Sequence, residues 1–171
     1  MKTTLNKIRE NSPCASGWKK LLATLGKTKA DDEPLSIITI LDSNGFDDAL
    51  WCLRSVENED KKIRLFAVWC ARQVQHLMKD ERSIKALGVS EAFANGNATQ
   101  EELDDAYNAA KAAAWDVARP AFWDAARVAA KAAAGADARD AAWDAYNAVS
   151  FVNAAGNAQE IELRRLCDGQ S

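Results

Sequence analysis

The segment KIRLFAVWCARQVQHL covers residues 62–77, near the middle of the chain. Its apolar residues recur every three or four positions, which is the spacing of one face of an α-helix. They are Ile63, Phe66, Ala67, Cys70, Val74 and Leu77. The stretch therefore predicts a helix that packs this face into a core.

Start and stop signals predict helices on both sides of this stretch. Upstream, one helix follows Ser12-Pro13 and stops at Gly26, a second follows Asp31-Asp32-Glu33 and stops at Asn44-Gly45, and a third runs from Phe46 to Val56. Downstream, Asp80 is expected to cap a fifth helix. Thr99 followed by Glu102 forms a capping box, in which each side chain accepts from the other residue's backbone N–H, and this predicts a sixth.

Alanine supplies nearly half of the residues between Ala106 and Ala158, and the phrases AAWD (113–116), FWDAAR (122–127) and AAWDA (141–145) resemble copies of one unit. Alanine is the strongest helix former, and Pro120 should kink or split the helical region. Two seams of small residues predict a close antiparallel hairpin. They are Leu103, Ala106, Ala110, Ala113 and Val117, and Ala138, Ala142, Ala145, Val149 and Val152.

These patterns predict an all-α fold, a single-domain multi-helix bundle over residues 1–171 with a C-terminal alanine- and tryptophan-rich helical hairpin kinked at Pro120. A leucine- and isoleucine-rich subregion covers residues 1–97, and the alanine-rich subregion covers residues 98–171. No apolar run approaches the roughly 18 residues of a membrane span, and the charged first twenty residues do not form a signal peptide. We expect a cytoplasmic protein that does not enter membranes.

Charge is unevenly distributed along a chain whose formal net charge is −3. The segment from Met1 to Ala30 is basic, and the segment that follows, to Asp60, is acidic. We expect these neighbouring blocks to neutralise each other across helices, the alternative being two separate binding faces. A nucleic-acid site needs a one-sided basic stripe, which the sequence does not show.

The sequence offers little for catalysis. The only histidine, His76, lies six positions after Cys70, and residues about 600° apart on a helix do not share a face. Cys14, Cys52, Cys70 and Cys167 have neither zinc nor redox spacing, so we expect reduced core residues. No phosphate-binding loop, metalloprotease motif or nucleophile elbow is present. We therefore expect no enzyme activity, no metal and no cofactor.

The six tryptophans are expected mostly to anchor the core, because each buries a large area. A surface role is the alternative for Trp115 and Trp123, since they flank Pro120, where a kink exposes backbone and side chain together. The candidate partner-binding residues lie around this kink and are Trp115, Arg119, Phe122, Trp123 and Arg127.

A family resemblance rests on residues 32–54, DEPLSIITILDSNGFDDALWCLR, continued by RLFAVWCAR from Arg64, DERSI from Asp80 and ANG from Ala94. Over roughly residues 14–150 the chain resembles a group of bacterial and phage proteins related to the immunity proteins of the fifth type in polymorphic toxin systems. The resemblance implies an all-α protein that binds and neutralises another protein, and it supplies no catalytic residues.

Three hypotheses follow. The first is a non-enzymatic, immunity-type or phage-encoded inhibitor that binds a host or rival protein through its alanine-rich helices. The second is a structural protein that forms a homo-oligomer through the same helices. The third is a nucleic-acid-associated phage protein that uses the basic N-terminal segment and exposed tryptophans, which the charge distribution disfavours.

Overall fold

A computed structural model describes residues 1–78, 80–115, 137–152 and 156–169. The fold is all-α: the described residues form nine α-helices and one antiparallel pair of two-residue strands. The strands are β1 (Lys2–Thr3) and β2 (Leu35–Ser36). The helices are α1 (Leu5–Glu10), α2 (Ala15–Thr24), α3 (Ile37–Asn44), α4 (Phe46–Cys52), α5 (Asp60–Gln73), α6 (Glu81–Ala94), α7 (Gln100–Trp115), α8 (Ala138–Val152) and α9 (Gly156–Asp168). Short 3-10 turns cover Leu53–Ser55 and Gln75–Leu77.

The capping predictions for α6 and α7 are confirmed. The Asp80 carboxylate accepts a hydrogen bond from the backbone N–H of Arg82 at 2.9 Å. Thr99 Oγ1 accepts from the N–H of Glu102 at 3.2 Å, and the Glu102 carboxylate accepts from the N–H of Thr99 at 2.7 Å. Both helices thus begin where a side chain satisfies backbone donors that have no partner within the helix.

Removing the cap of α7 should have a measurable cost. Thr99→Ala is expected to lower the free energy of unfolding by about 1 kcal/mol, because it leaves the N–H of Glu102 without its side-chain acceptor. Urea denaturation followed by circular dichroism measures the change. Thr99→Ser keeps the acceptor oxygen and serves as the control; equal losses in the two variants would contradict this role for the hydroxyl.

Two predicted helix starts are wrong. Cys14, and not Ser12, caps α2: its Sγ accepts from the N–H of Gly17 at 3.3 Å, while Ser12 has φ +57°. The second predicted helix begins later, at Ile37. The acidic residues Asp31 and Glu33 do not start a helix, because both are held by the ammonium group of Lys27.

The described residues form two compact units, and the first comprises Met1–Glu59 with the chain from Leu163 onward. Its core is built from fully buried aliphatic side chains: Leu5, Ile8, Ile37, Ile40, Leu53 and Val56. Thr3 is also buried, and its hydroxyl donates to the carbonyl of Ser55 at 2.6 Å. The predicted neutralisation between basic and acidic segments occurs where Lys7 pairs with Glu57 at 2.6 Å.

The second unit, Asp60–Glu162, contains α5 to α8 and the first half of α9. Within it α8 packs mainly on α5, and α7 packs mainly on α6. The decisive stripe of α5 is confirmed as core, because Ile63, Phe66, Ala67 and Cys70 are fully buried. In the alanine seams Leu103, Ala110, Ala113, Ala138 and Ala142 are buried as well. The prediction that the two seams pack mainly on each other as a hairpin is wrong, because each of these helices packs mainly on a helix of the leucine-rich subregion instead. The predicted kink at Pro120 lies outside the described residues.

The tryptophans whose side chains are described do not form the innermost core. Trp18, Trp51, Trp69 and Trp143 are half-buried, whereas the largest fully buried side chain is Phe66. Trp69 stacks on Phe66 with ring centroids 6.4 Å apart, and Trp143 contacts Tyr146. These indole rings cover the core from its edge.

Candidate functional site

The partner-binding residues predicted from the sequence lie at the end of α7 and beyond it. Trp115 is the last residue of α7, but its side chain lies outside the described part of the chain. Arg119, Phe122, Trp123 and Arg127 lie outside it as well. The part of the alanine-rich region that precedes these residues is α7, which packs mainly on α6.

The α6–α7 pair is held by a small apolar cluster. Ala86 on α6 and Leu103 and Ala110 on α7 are fully buried, and Val89, Phe93, Ala106 and Tyr107 pack around them. Small residues at the contact let the two helix axes approach closely. The position of α6 is fixed from the other side by Arg64 of α5, which is buried with its guanidinium 5.0 Å from the Phe93 ring centroid. Burial lowers the pKa of Arg64.

Beside this contact the two helices form an open groove of about 370 Å³. We call it the α6–α7 groove. Its apolar lining consists of alanine and valine side chains, and two charged residues stand on each side. The lining residues are Arg82, Lys85, Ala86 and Val89 on α6 and Glu102, Asp105, Ala106 and Ala109 on α7. One wall is therefore basic and the other acidic, above an apolar floor.

Two of the four charges are held within the chain. The guanidinium of Arg82 donates to both carboxylate oxygens of Asp80, at 2.9 and 2.7 Å, and these bonds lower the pKa of Asp80. Glu102 accepts from the backbone N–H of Thr99 in the capping box. These intramolecular partners fix the outer ends of the two walls.

The other two charged groups of the groove, on Lys85 and Asp105, have no such intramolecular partner among the described residues. Lys85 and Asp105 are exposed, and neither forms an ion pair or a hydrogen bond with its side chain among the residues that the structure describes. They stand on opposite walls of the same groove without pairing with each other. The groove thus offers a free cation and a free carboxylate to a bound molecule.

Gly88, in the middle of α6, has no structural need for glycine within the described chain. A Cβ built at this position meets no atom within 4 Å, and its φ is ordinary for a helix. Glycine in a helix interior costs stability because it loses more conformational freedom on folding than alanine does.

Gly88→Ala should therefore raise the free energy of unfolding by about 0.5–1 kcal/mol. Gly26→Ala is the contrasting variant, since Gly26 has φ +65° and a side chain there is strained. It should lower stability. Urea titrations of both proteins test the pair; destabilisation by Gly88→Ala would show that α6 tolerates no side chain at this position.

The described residues do not assemble a recognisable reaction centre. His76 is exposed in a 3-10 turn, whereas Cys70 is buried. Within the described ranges, no three or more histidine, cysteine, aspartate or glutamate side chains come together in a way that could hold a metal ion. Nor is any of the described helices long and apolar enough to cross a membrane.

The expectation that all four cysteines lie in the core is wrong for Cys14, which is exposed at the start of α2. Cys52 and Cys70 are buried, and Cys167 is half-buried. Burial raises the pKa of Cys52 to about 12 and also raises the pKa values of Cys70 and Cys167. The two buried thiols are therefore protonated and unreactive at neutral pH.

The sequence analysis did not predict the groove residues, although the spacing of their charged side chains is visible in the sequence. Arg82 and Lys85 are three positions apart on one helix, as are Glu102 and Asp105 on the next, so each pair shares a helix face. Two such pairs of opposite sign on consecutive helices indicate one basic and one acidic helix face, but their spacing does not show that the two faces border one groove.

No family model matches the chain, and neither a curated protein nor a solved structure matches it. The resemblance to immunity proteins of polymorphic toxin systems thus stays a prediction from the sequence.

Proposed function

We propose that the chain is a non-enzymatic protein-binding protein, acting in the cytoplasm as an immunity-type or phage-encoded inhibitor of a host or rival protein. The single observation that carries the proposal is the α6–α7 groove, with its apolar lining and its uncommitted Lys85 and Asp105. The proposal needs no metal and no cofactor.

The groove suits a protein segment for two reasons. Its volume, about 370 Å³, accommodates one or two side chains of a partner, and its alanine lining lets a partner backbone come close. Its opposed charges favour a segment that carries an acidic side chain toward Lys85 and a basic one toward Asp105. Such complementary charges contribute mainly to the specificity and rate of association.

The inhibitory role is supported by the sequence from Asp32 to Arg54, through its resemblance to immunity proteins. The proposed inhibitor binds its partner through the alanine-rich helices. The groove agrees with this, because α7 is the first of these helices and supplies half of the groove lining. A nucleic-acid role receives less support, since Lys7 and Lys27 of the basic segment are paired with acidic side chains.

The test is affinity capture from the native host with matched baits. Ala109→Trp places an indole inside the groove, and Ala112→Trp places the same side chain at an exposed position of α7 outside the groove lining. We expect one protein other than the chain itself at stoichiometric level on the wild-type and Ala112→Trp baits, and its loss on the Ala109→Trp bait. Recovery of no stoichiometric protein, or equal recovery on both variants, would contradict the proposal.

A further inference from the structure

We propose that, in the free protein, the α6–α7 groove is covered by the same groove of a second copy of the chain. The two copies are related by a two-fold axis that runs along the groove. This inference rests on the proposed function, because it names a competing occupant of the same groove: the dimer has to separate before another protein binds there.

The charge pattern of the groove is self-complementary. A two-fold axis along the groove exchanges its two walls, so α6 of one copy lies over α7 of the other. In such an interface, if residue i contacts residue j, then j contacts i. Lys85 of each copy then faces Asp105 of the other, and the dimer gains two ion pairs at once.

The same residues do not satisfy each other within one chain. Lys85 and Asp105 stand on opposite walls and form no ion pair among the described residues. Arg82 and Glu102, by contrast, are held by Asp80 and by the backbone of Thr99. The two uncommitted charges are therefore the ones that the second copy neutralises.

The lining of the groove lets two copies of the chain come close together, but the apolar area that they bury is small. Ala86, Ala106 and Ala109 carry only methyl groups, so two helix pairs can approach without steric conflict. The apolar area in the groove is small, and small interfaces are typical of weak, reversible association. We expect a concentration-dependent equilibrium between monomer and dimer that weakens as salt screens the ion pairs.

Charge reversal with purified protein tests the inference. Lys85→Glu places two carboxylates opposite each other at both contacts, and Asp105→Lys places two ammonium groups there. In sedimentation equilibrium we expect each variant alone to raise the dimer dissociation constant by about tenfold at low salt. Lys61→Glu, at an exposed position of α5 outside the groove lining, makes the same charge change and should leave the dimer unaffected.

Mixing the two groove variants gives the decisive result. In a mixed dimer Glu at position 85 of one copy meets Lys at position 105 of the other, while the wild-type Asp105 and Lys85 meet at the second contact. An equimolar mixture should therefore regain the wild-type dissociation constant.

A wild-type protein that stays monomeric at the highest concentration, or a mixture that associates no better than its components, would overturn the inference. Such a result leaves the proposed function standing, because capture of another protein by the Ala112→Trp bait and its loss on Ala109→Trp are measured separately.

Discussion

Replacing Phe66 with alanine should lower the free energy of unfolding by about 3–5 kcal/mol, the largest loss of stability that we expect from one substitution. Phe66 is fully buried on α5, the central helix of the second unit, and its ring stacks on Trp69. Truncation removes the ring from a packed core and leaves a cavity that the surrounding helices fill only in part. Urea denaturation monitored by circular dichroism measures the loss.

Two further variants show whether the loss comes from the position of Phe66 in the core. Phe66→Leu keeps most of the apolar volume and should cost much less than Phe66→Ala. Trp69→Ala removes a larger ring that is only half-buried, so it should also cost less. A greater loss for Trp69→Ala would restore the initial expectation that tryptophans are the main anchors.

Cys14 should react with thiol reagents at least about a thousandfold faster than Cys52 at pH 8. Cys14 is exposed, whereas burial raises the pKa of Cys52 to about 12, so that only about one thiol in 10⁴ is ionised at this pH. The thiolate is the reactive form, and a raised pKa depletes it at every pH below that value. The buried Cys70 should be slow for the same reason.

Stopped-flow reaction with an aromatic disulfide reagent resolves these thiols. We expect one fast phase from Cys14, a slower one from the half-buried Cys167, and reaction of Cys52 and Cys70 only after unfolding. Cys14→Ser should remove the fast phase and nothing else. Labelling of Cys52 at the rate of Cys14, located by peptide mapping, would show that the first unit is more open than described.

Helix boundaries could be predicted from the sequence where the deciding interaction is local. Asp80 and Thr99 bond to backbone groups two and three residues away, so their capping roles are visible in the sequence alone. Gly26 and Gly45 end helices with positive φ for a similarly local reason. The local sequence did not decide whether a helix starts at Asp31 and Glu33, because a carboxylate can either stabilise a helix start or pair with a nearby lysine.

The groove depends on information that the sequence does not contain directly. The alanine-rich composition of α7 predicted a helix with a close packing partner, but the seams of small residues pointed to α8 as that partner, whereas α7 packs mainly on α6. Only when α6 and α7 are placed side by side do Lys85 and Asp105 stand on opposite walls. The packing of the whole core decides which helices lie side by side. Spacing along the chain therefore predicted which residues share a helix face, but not which other helix packs against that face.

Amide hydrogen exchange of the complex with the captured partner shows whether the α6–α7 groove is the binding surface. We predict that partner binding slows exchange over residues 82–89 and 102–109 relative to the free monomer, while exchange in α2 stays as it is in that monomer. Slowed exchange confined to other helices, with both groove segments unchanged, would contradict this role of the groove.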